Sequence, residues 1–548
     1  MKNRKRTLAL LLAAGMTLAV AGCGNEEKPV NNSSEAAETN AVSTETAKTS
    51  EVVKEEPKEP VLLEWYYRGN GQQEDTEDVE ARVNELLKEY PGLEHVSINI
   101  NCFPSGDYSQ QVILAQTSGA QIDILNSVSL GDFGDNVQKG CWMPMDEYIS
   151  DSLKAELPDW LWEMGSVDGK IYMVPNYQNA YNAAYIAFPK EYMDKYGNYE
   201  EMYATLTNWD LSITEKAAAL EAYVVACNEG EGGGKYAHVL ERSNIAGSLG
   251  FAWITPFDNI GDRFTIPDGT DEVVFAYQTE EYKEIWSIYA DWYDKGIYSP
   301  DGVNTKDADY AYTHMMEPTS CAFSIVEKVG TPEQVAEIYS NAYGFDVVII
   351  PIQQYDYIQN TWGAGGNGIS STCENPEEAA LFLEAITTGP EIGKEIYNTM
   401  VFGLENVHYV KDANDPERIE TLQYTGSQGG VDTTYAGLKW ILGNSFYAYK
   451  NQAVTDEQYV IAKEMNEHPD TVSSSKIGFV IDKTPVTTQL DQLSAVCKEY
   501  ETTLRTGAVG VEKFEAYYEE FMAKLEVAGV NAVKEEYQRQ LDEWLATR

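Results

Sequence analysis

Val61-Leu62-Leu63-Glu64-Trp65-Tyr66-Tyr67 is a β-branched and aromatic run closed by Gly69 and Gly71, which is the composition of a strand and its stop. Outward from it, Val79, Val83, Leu86 and Leu87 fall on one helical face, and Pro91-Gly92 supplies the break. Val96-Ser97-Ile98-Asn99-Ile100 then reads as a second strand, 108–117 as a second helix, and Ile122-Asp123-Ile124-Leu125 as a third strand. Strand, helix, strand, helix, strand with short connections predicts a parallel sheet with right-handed crossovers. Ligands of such sheets sit beyond the carboxyl ends of the strands. Here those ends offer Tyr67, Arg68, Asn70 and Gln72 after the first strand, and Asn126 and Ser127 after the third.

The far end of the chain has another texture. Pro485 stands where a first-turn proline is tolerated. Beyond it Leu490, Leu493, Val496, Cys497, Tyr500 and Leu504 make one apolar face before Gly507. Phe514, Tyr517, Tyr518, Phe521 and Leu525 make a second stripe, and Val533, Tyr537, Leu541, Trp544 and Leu545 a third. Three packed helices are expected over 485–548, their stripes serving as core faces. A body running from 61 to 548 is too long for one hydrophobic core, so at least two domains are expected. No internal repeat is visible.

The amino terminus reads as an export signal. Lys2, Arg4, Lys5 and Arg6 precede an apolar run over 8–21, shorter than the roughly 20 residues a transmembrane helix needs. Val20-Ala21-Gly22-Cys23 resembles the bacterial lipobox, whose cysteine receives diacylglycerol before cleavage. Residues 1–22 are therefore expected to leave, and Cys23 to tether the protein to the outer face of a cell membrane. Their loss removes four positive charges and makes the formal charge of −49 more negative by four. So acidic a chain excludes nucleic acid and electrostatic adhesion to anionic lipid, and leaves the lipid as its only membrane contact. Residues 23–60 are mostly Glu, Ser, Thr, Asn, Lys, Ala and Pro with no aromatic ring, the composition of a disordered leash. Such a leash has an r.m.s. span of roughly 35 Å.

Several segments resemble the sugar-type extracellular solute-binding proteins of ABC importers, the group sharing the maltose-binding-protein fold. Lys139-Gly140-Cys141-Trp142-Met143-Pro144-Met145-Asp146 resembles the family's Gly-x-x-x-Pro-Leu-Asp step. Val167-Asp168-Gly169-Lys170-Ile171-Tyr172-Met173-Val174-Pro175 resembles its Asp-Gly-Lys-Ile-Tyr-x-x-Pro hairpin. Asn375-Pro376-Glu377-Glu378-Ala379-Ala380 resembles the helix start after its second interlobe crossing. Phe402-Gly403-Leu404-Glu405-Asn406-Val407-His408-Tyr409 resembles a Gly-Ile-Glu-Gly-x-His-Tyr segment of large Gram-positive lipoproteins, departing from it at Asn406. The segment 477–486 and the closing 528–544 resemble the C-terminal module of LipO-type lipoproteins.

The resemblance implies an α/β, two-lobed, periplasmic-binding-protein-like fold with hinge crossings near 175–180, 350–360 and 405–415. It divides the chain into a signal peptide (1–22), a linker (23–60), lobe 1 (61–175 and 356–410), lobe 2 (176–355 and 411–484) and a C-terminal helical module (485–548). It also implies the function: capture of a carbohydrate, either an oligosaccharide or a sugar derivative, by lobe closure and delivery to ABC permease subunits. No cofactor and no catalysis are implied, and the protein is expected to act as a monomer.

The residues fit such a ligand. With 37 Tyr, 15 Phe and 11 Trp, the chain is rich in flat apolar platforms that suit sugar rings. Rings and polar groups at loop positions are the candidates: Asn176, Tyr177 and Gln178 after Pro175, Trp253 near Pro256, Trp362 before a glycine-rich turn, and Glu405 and Trp440 later on. Glu405 either accepts sugar hydroxyls or bridges a loop. Arg68 either recognises a carboxylate or phosphate bidentately or lies on the surface. Gly230-Glu231-Gly232-Gly233-Gly234 lacks the Lys-Ser/Thr of a phosphate loop and reads as a flexible turn. Six scattered cysteines besides Cys23, and five dispersed histidines, define neither a disulfide framework nor a zinc site, and buried thiols are expected. The competing classes are a glycoside hydrolase or other lipoprotein enzyme, for which no motif is present, and a peptide-binding or sensor lipoprotein of the same fold.

Overall fold

The computed structural model describes residues 58–130, 133–180, 185–238, 257–297, 320–325, 332–355, 357–358, 365–422, 434–451, 456, 460 and 463–548. The signal and leash readings over 1–57, including Cys23, lie outside the described residues, as do Trp253 and Trp362. No described helix is long and apolar enough to cross a membrane.

The opening run forms the strand Val61–Gly69, which pairs in parallel with Val96–Pro104 in a register from Val61–Val96 to Gly69–Pro104. On its other side Trp65 lies opposite Ile124, in the parallel strand Ile124–Asn126. The period of two sorts the residues between the faces. Leu63, Trp65 and Tyr67 join the core beneath helix Thr76–Leu87, which buries Val79, Val83, Leu86 and Leu87. Tyr66 and Phe103 face a smaller cluster under helix Tyr108–Ser118. The sheet is not parallel throughout. Gly366–Ile369 adds antiparallel beside Ile124–Asn126, and Val174–Pro175 adds antiparallel beside that, because these strands carry the chain out to the second lobe and back. Asp168 (φ 52) and Gly169 (φ 74) both take left-handed backbone in the hairpin joining Ser166–Val167 to Lys170–Ile171, as a type I′ turn requires.

The second lobe has its own sheet, in the order Val347–Pro351, Tyr185–Pro189, Ser320–Ile325, Tyr236–His238. Every residue of Tyr185–Pro189 is buried, as in a central strand covered on both faces. Helix Ile213–Glu231 starts on a Ser212/Glu215 capping box and ends on Gly232 in left-handed conformation. The glycine run after Asn228 is thus the last turn of a helix and its cap.

Two hydrophobic cores correspond to the two lobes. The C-terminal helices Thr487–Arg505, Val511–Ala528 and Val530–Leu545 bury their predicted stripes in the second core, against helix Glu280–Lys295. Phe521 stacks on Tyr500 at 5.1 Å and 15°, and the Tyr518 hydroxyl donates to the Tyr277 carbonyl at 2.8 Å. Such ring pairs contribute about 0.5–1.5 kcal/mol each beyond their buried area. These helices therefore share their core with the second lobe.

The chain passes between the sheets after Pro175 and again between Pro351 and Gly366. The third passage is not near 405–415. Strands Tyr409–Lys411, Arg418–Thr421 and Lys450–Asn451 form a small sheet held to the first lobe through Phe402, which packs on both clusters. Ile441, Leu442 and Ala448 belong to the first core, although 411–484 was expected in lobe 2. The transfer comes at Ile477 and Phe479, which lie in the first and second cores respectively. Beside it Val472–Ser473 pairs in parallel with Tyr357–Ile358 from the second passage, so the two connecting segments are hydrogen-bonded together.

Candidate functional site

The carboxyl ends of the first sheet meet in a buried knot of asparagines. Asn126, the last residue of its strand, donates through Nδ2 to the carbonyls of Gly366 (3.3 Å) and Ile441 (3.1 Å) and to Asn367 Oδ1 (3.2 Å). Its Oδ1 accepts from the Val128 amide at 3.0 Å. Asn367 also accepts from Trp65 Nε1 (3.1 Å) and donates to Asn176 Oδ1 and the Ile441 carbonyl, both at 3.2 Å. Asn126 and Asn176 are 0% and 1% exposed and fasten strand ends and crossing together, while Asn176 Nδ2 meets no acceptor among the described residues. Ser127, half-buried, exchanges bonds with Gly366: its Oγ accepts from the Gly366 amide and its amide donates to the Gly366 carbonyl. Asn367 was not a candidate from sequence. Its place beside Asn126 follows from the antiparallel register alone.

Tyr67 turns inward. It is 4% exposed and its ring centroid lies 4.7 Å from that of Trp65, and burial raises its hydroxyl pKa well above the ordinary value. The period of two sends it to the face of Leu63 and Trp65. Arg68, on the opposite phase, is half-buried and lies over Trp440, with Cζ 4.6 Å from the ring centroid. The same turn holds the next residues to the chain around Ala436. Asn70 Nδ2 donates to the Ala436 carbonyl at 2.8 Å, and Gln73 both donates to that carbonyl and accepts from the Ala436 amide, each at 3.0 Å. Gln72 reaches back to the Ile100 carbonyl. Arg68, Asn70 and Trp440 thus come together, and Ile441, next to Trp440, ties them to the asparagine knot.

Tyr177 and Gln178 mark the first crossing. Tyr177, 2% exposed, meets Phe446 edge-on at 4.9 Å and donates to Glu467 Oε1 at 3.4 Å. The low-dielectric site and that carboxylate both raise its pKa, burial being the larger cause. Lys463 stands 5.6 Å from the Tyr177 ring and 5.9 Å from Phe446. The Gln178 carbonyl accepts from Asn466 Nδ2 at 2.8 Å. Phe446, Lys463 and Glu467 went unnoticed in the sequence, for no local pattern links them to a loop so distant in the chain. Glu405 is exposed and ion-pairs with Lys411 at 3.4 Å, bridging its own loop away from the others.

A family profile described as "Bacterial extracellular solute-binding protein" matches residues 81–404. The chain belongs to this family. It is a family of binding proteins, and the chain is accordingly a substrate-binding protein rather than an enzyme. A second profile, "Domain of unknown function (DUF3502)", matches residues 476–546, the three helices docked on the second core. Over 490 residues the chain is 25% identical to a carbohydrate ABC transporter substrate-binding protein of Streptococcus pneumoniae serotype 4 (strain ATCC BAA-334 / TIGR4), covering 88% of this chain and 91% of that one. The fold is similar to that of the N-glycan transport solute binding protein NgtS of Streptococcus pneumoniae, with TM-score 0.69, 22% identity, and 89% and 99% of the two chains covered. It is also similar to the S. pneumoniae ABC-transporter substrate binding protein FusA in complex with kestose, with TM-score 0.57, 14% identity, and 90% and 100% covered.

Proposed function

We propose that the protein captures an oligosaccharide or sugar derivative between its two lobes and hands it to an ABC permease, acting as a monomer tethered through Cys23 at the extracellular face of the membrane. What carries the reading is membership of the solute-binding family together with the near full-length likeness to a carbohydrate ABC transporter substrate-binding protein. The site is compatible with it. Trp440 and Phe446 are partly exposed rings, and Gln178 and Ser127 are half-buried polar side chains, all gathered at the strand ends and the first crossing. Flat apolar faces beside amide and hydroxyl groups are what polyhydroxyl rings require. The described connecting residues 176–180, 352–355, 357–358 and 463–478 serve as the hinge in this reading, with lobe 1 before the first and between the second and third passages, and lobe 2 sharing its core with the terminal helices.

A thermal-shift and calorimetry screen of oligosaccharides, uronates and short peptides on the secreted body tests it. A saccharide at 100 times its Kd stabilises the folded state by about 2.7 kcal/mol, and the same saccharide is recovered uncleaved. Saturable binding by peptides alone overturns the carbohydrate assignment. Cleavage of the bound sugar overturns the importer reading itself.

A further inference from the structure

The chain carries 88 Asp and Glu residues against 39 Lys and Arg, and five of the described arginines are held by carboxylates. Arg82, Arg263, Arg418, Arg539 and Arg548 each hold one, at 2.8, 2.6, 2.8, 2.6 and 3.0 Å. Arg68 is different. Its Nε and Nη1 are buried and meet no hydrogen-bond acceptor among the described residues. Its guanidinium carbon lies 4.6 Å from the Trp440 ring centroid, a cation–π contact that does not neutralise it. The nearby polar side chains are committed elsewhere, Asn70 and Gln73 to Ala436 and Gln72 to Ile100. The neighbouring Cys102 thiol supplies no charge, since burial pushes its pKa up.

A buried guanidinium N–H without an acceptor is more costly than an ordinary orphaned neutral donor. Arginine keeps its proton under such conditions, so the cost is not relieved by neutralisation. In so acidic a protein, a lone carboxylate to satisfy Arg68 would be the easiest of all partners to supply. The position lies at the carboxyl end of the first strand, where open α/β sheets take their ligands. The planar fork of an arginine matches the two oxygens of a carboxylate.

We propose that Arg68, over the Trp440 ring, is the anion-recognising subsite of the sugar site, and that the ligand is an acidic saccharide presenting a carboxylate to it. This rests on the carbohydrate reading above. A sulfate or phosphate ester would use the same donors, and the choice of ligands separates these sources.

The test is calorimetric titration of the secreted body with matched oligosaccharides that differ only in one residue: a neutral hexose, the corresponding uronic acid, and the sulfated hexose. Wild type should prefer the uronic acid over the neutral sugar by roughly tenfold or more, with a preference that shrinks as salt is raised. Arg68→Met should lose the preference, binding the uronic acid and the neutral member within about twofold of each other. Arg68→Lys, which retains the charge but not the fork, should keep only part of it. It also serves where the methionine variant does not fold. Equal or tighter binding of the neutral sugar by wild type overturns the subsite and leaves the carbohydrate reading standing, as does an acidic preference that survives in Arg68→Met. A sulfated ligand bound more tightly than the uronate overturns the carboxylate assignment. No binding of any saccharide overturns both.

Discussion

Asn367→Ala should destabilise the first lobe severely, and the reason lies in what that side chain alone satisfies. Its Oδ1 is the acceptor for Trp65 Nε1, and its Nδ2 is the donor to Asn176 Oδ1. Trp65 is fully buried and Asn176 nearly so, so no water replaces the lost amide. Asn126 keeps the Gly366 and Ile441 carbonyls, and Ile441 keeps Asn126, so those groups are not orphaned. Two buried groups lose a partner, at about 1–3 kcal/mol each, which predicts a loss of about 2–6 kcal/mol. That is a large share of the roughly 5–15 kcal/mol that holds a domain folded. Urea titration followed by circular dichroism is the assay. With two cores a single transition is not guaranteed. The loss should therefore fall on the transition that involves first-lobe residues, while the part due to the second core, with its own helices, stays put. A shift worth less than about 0.5 kcal/mol would refute the network as a structural device. If Asn367→Ala instead weakened saccharide binding at unchanged stability, the asparagines would be ligand contacts after all.

The other predictions concern separate parts of the chain. Gly507 has φ 68, and a Cβ there would stand 1.9 Å from the Tyr289 carbonyl oxygen, so Gly507→Ala should cost about 2 kcal/mol or more by combining backbone strain with overpacking; an unchanged melting temperature would show that the terminal helices dock differently. Asp75 accepts from Thr434 and from His408 Nε2, and these bonds hold its carboxyl below the usual range. Its folded pKa is depressed, so its stabilisation is present above the unfolded value of about 3.9 and is lost as pH falls through the folded one. Wild type should consequently lose more stability than Asp75→Asn between about pH 5 and pH 2, and parallel acid-unfolding curves would contradict this. Cys23→Ser should shift the protein from the membrane fraction to the soluble fraction or leave it unprocessed; undiminished membrane retention of a normally processed chain would remove the lipid anchor.

How much of this was legible in the sequence depended on how far apart the deciding residues stand. The first three strands, the two helices between them and the three terminal helices follow from periodicity over a few turns, and Val83, Phe521 and Tyr537 lie buried where the pattern puts them. The third passage did not follow, because it is set by Phe402 and Ile441 choosing one core and Phe479 the other, a choice made by long-range packing. Tyr67 shows a different failure. Its position at a strand end favoured a ligand role, yet the alternation from Leu63 through Trp65 already assigned it to the core, and the local rule is the one that holds. Arg68 was ambiguous on its own because nothing local says what lies across from a strand end. The fold brings up Trp440, a ring with no sequence relation to it, and leaves two buried N–H groups without an acceptor among the described residues. Family membership makes the chain a solute-binding protein; under the proposal above, that unsatisfied charge selects the solute.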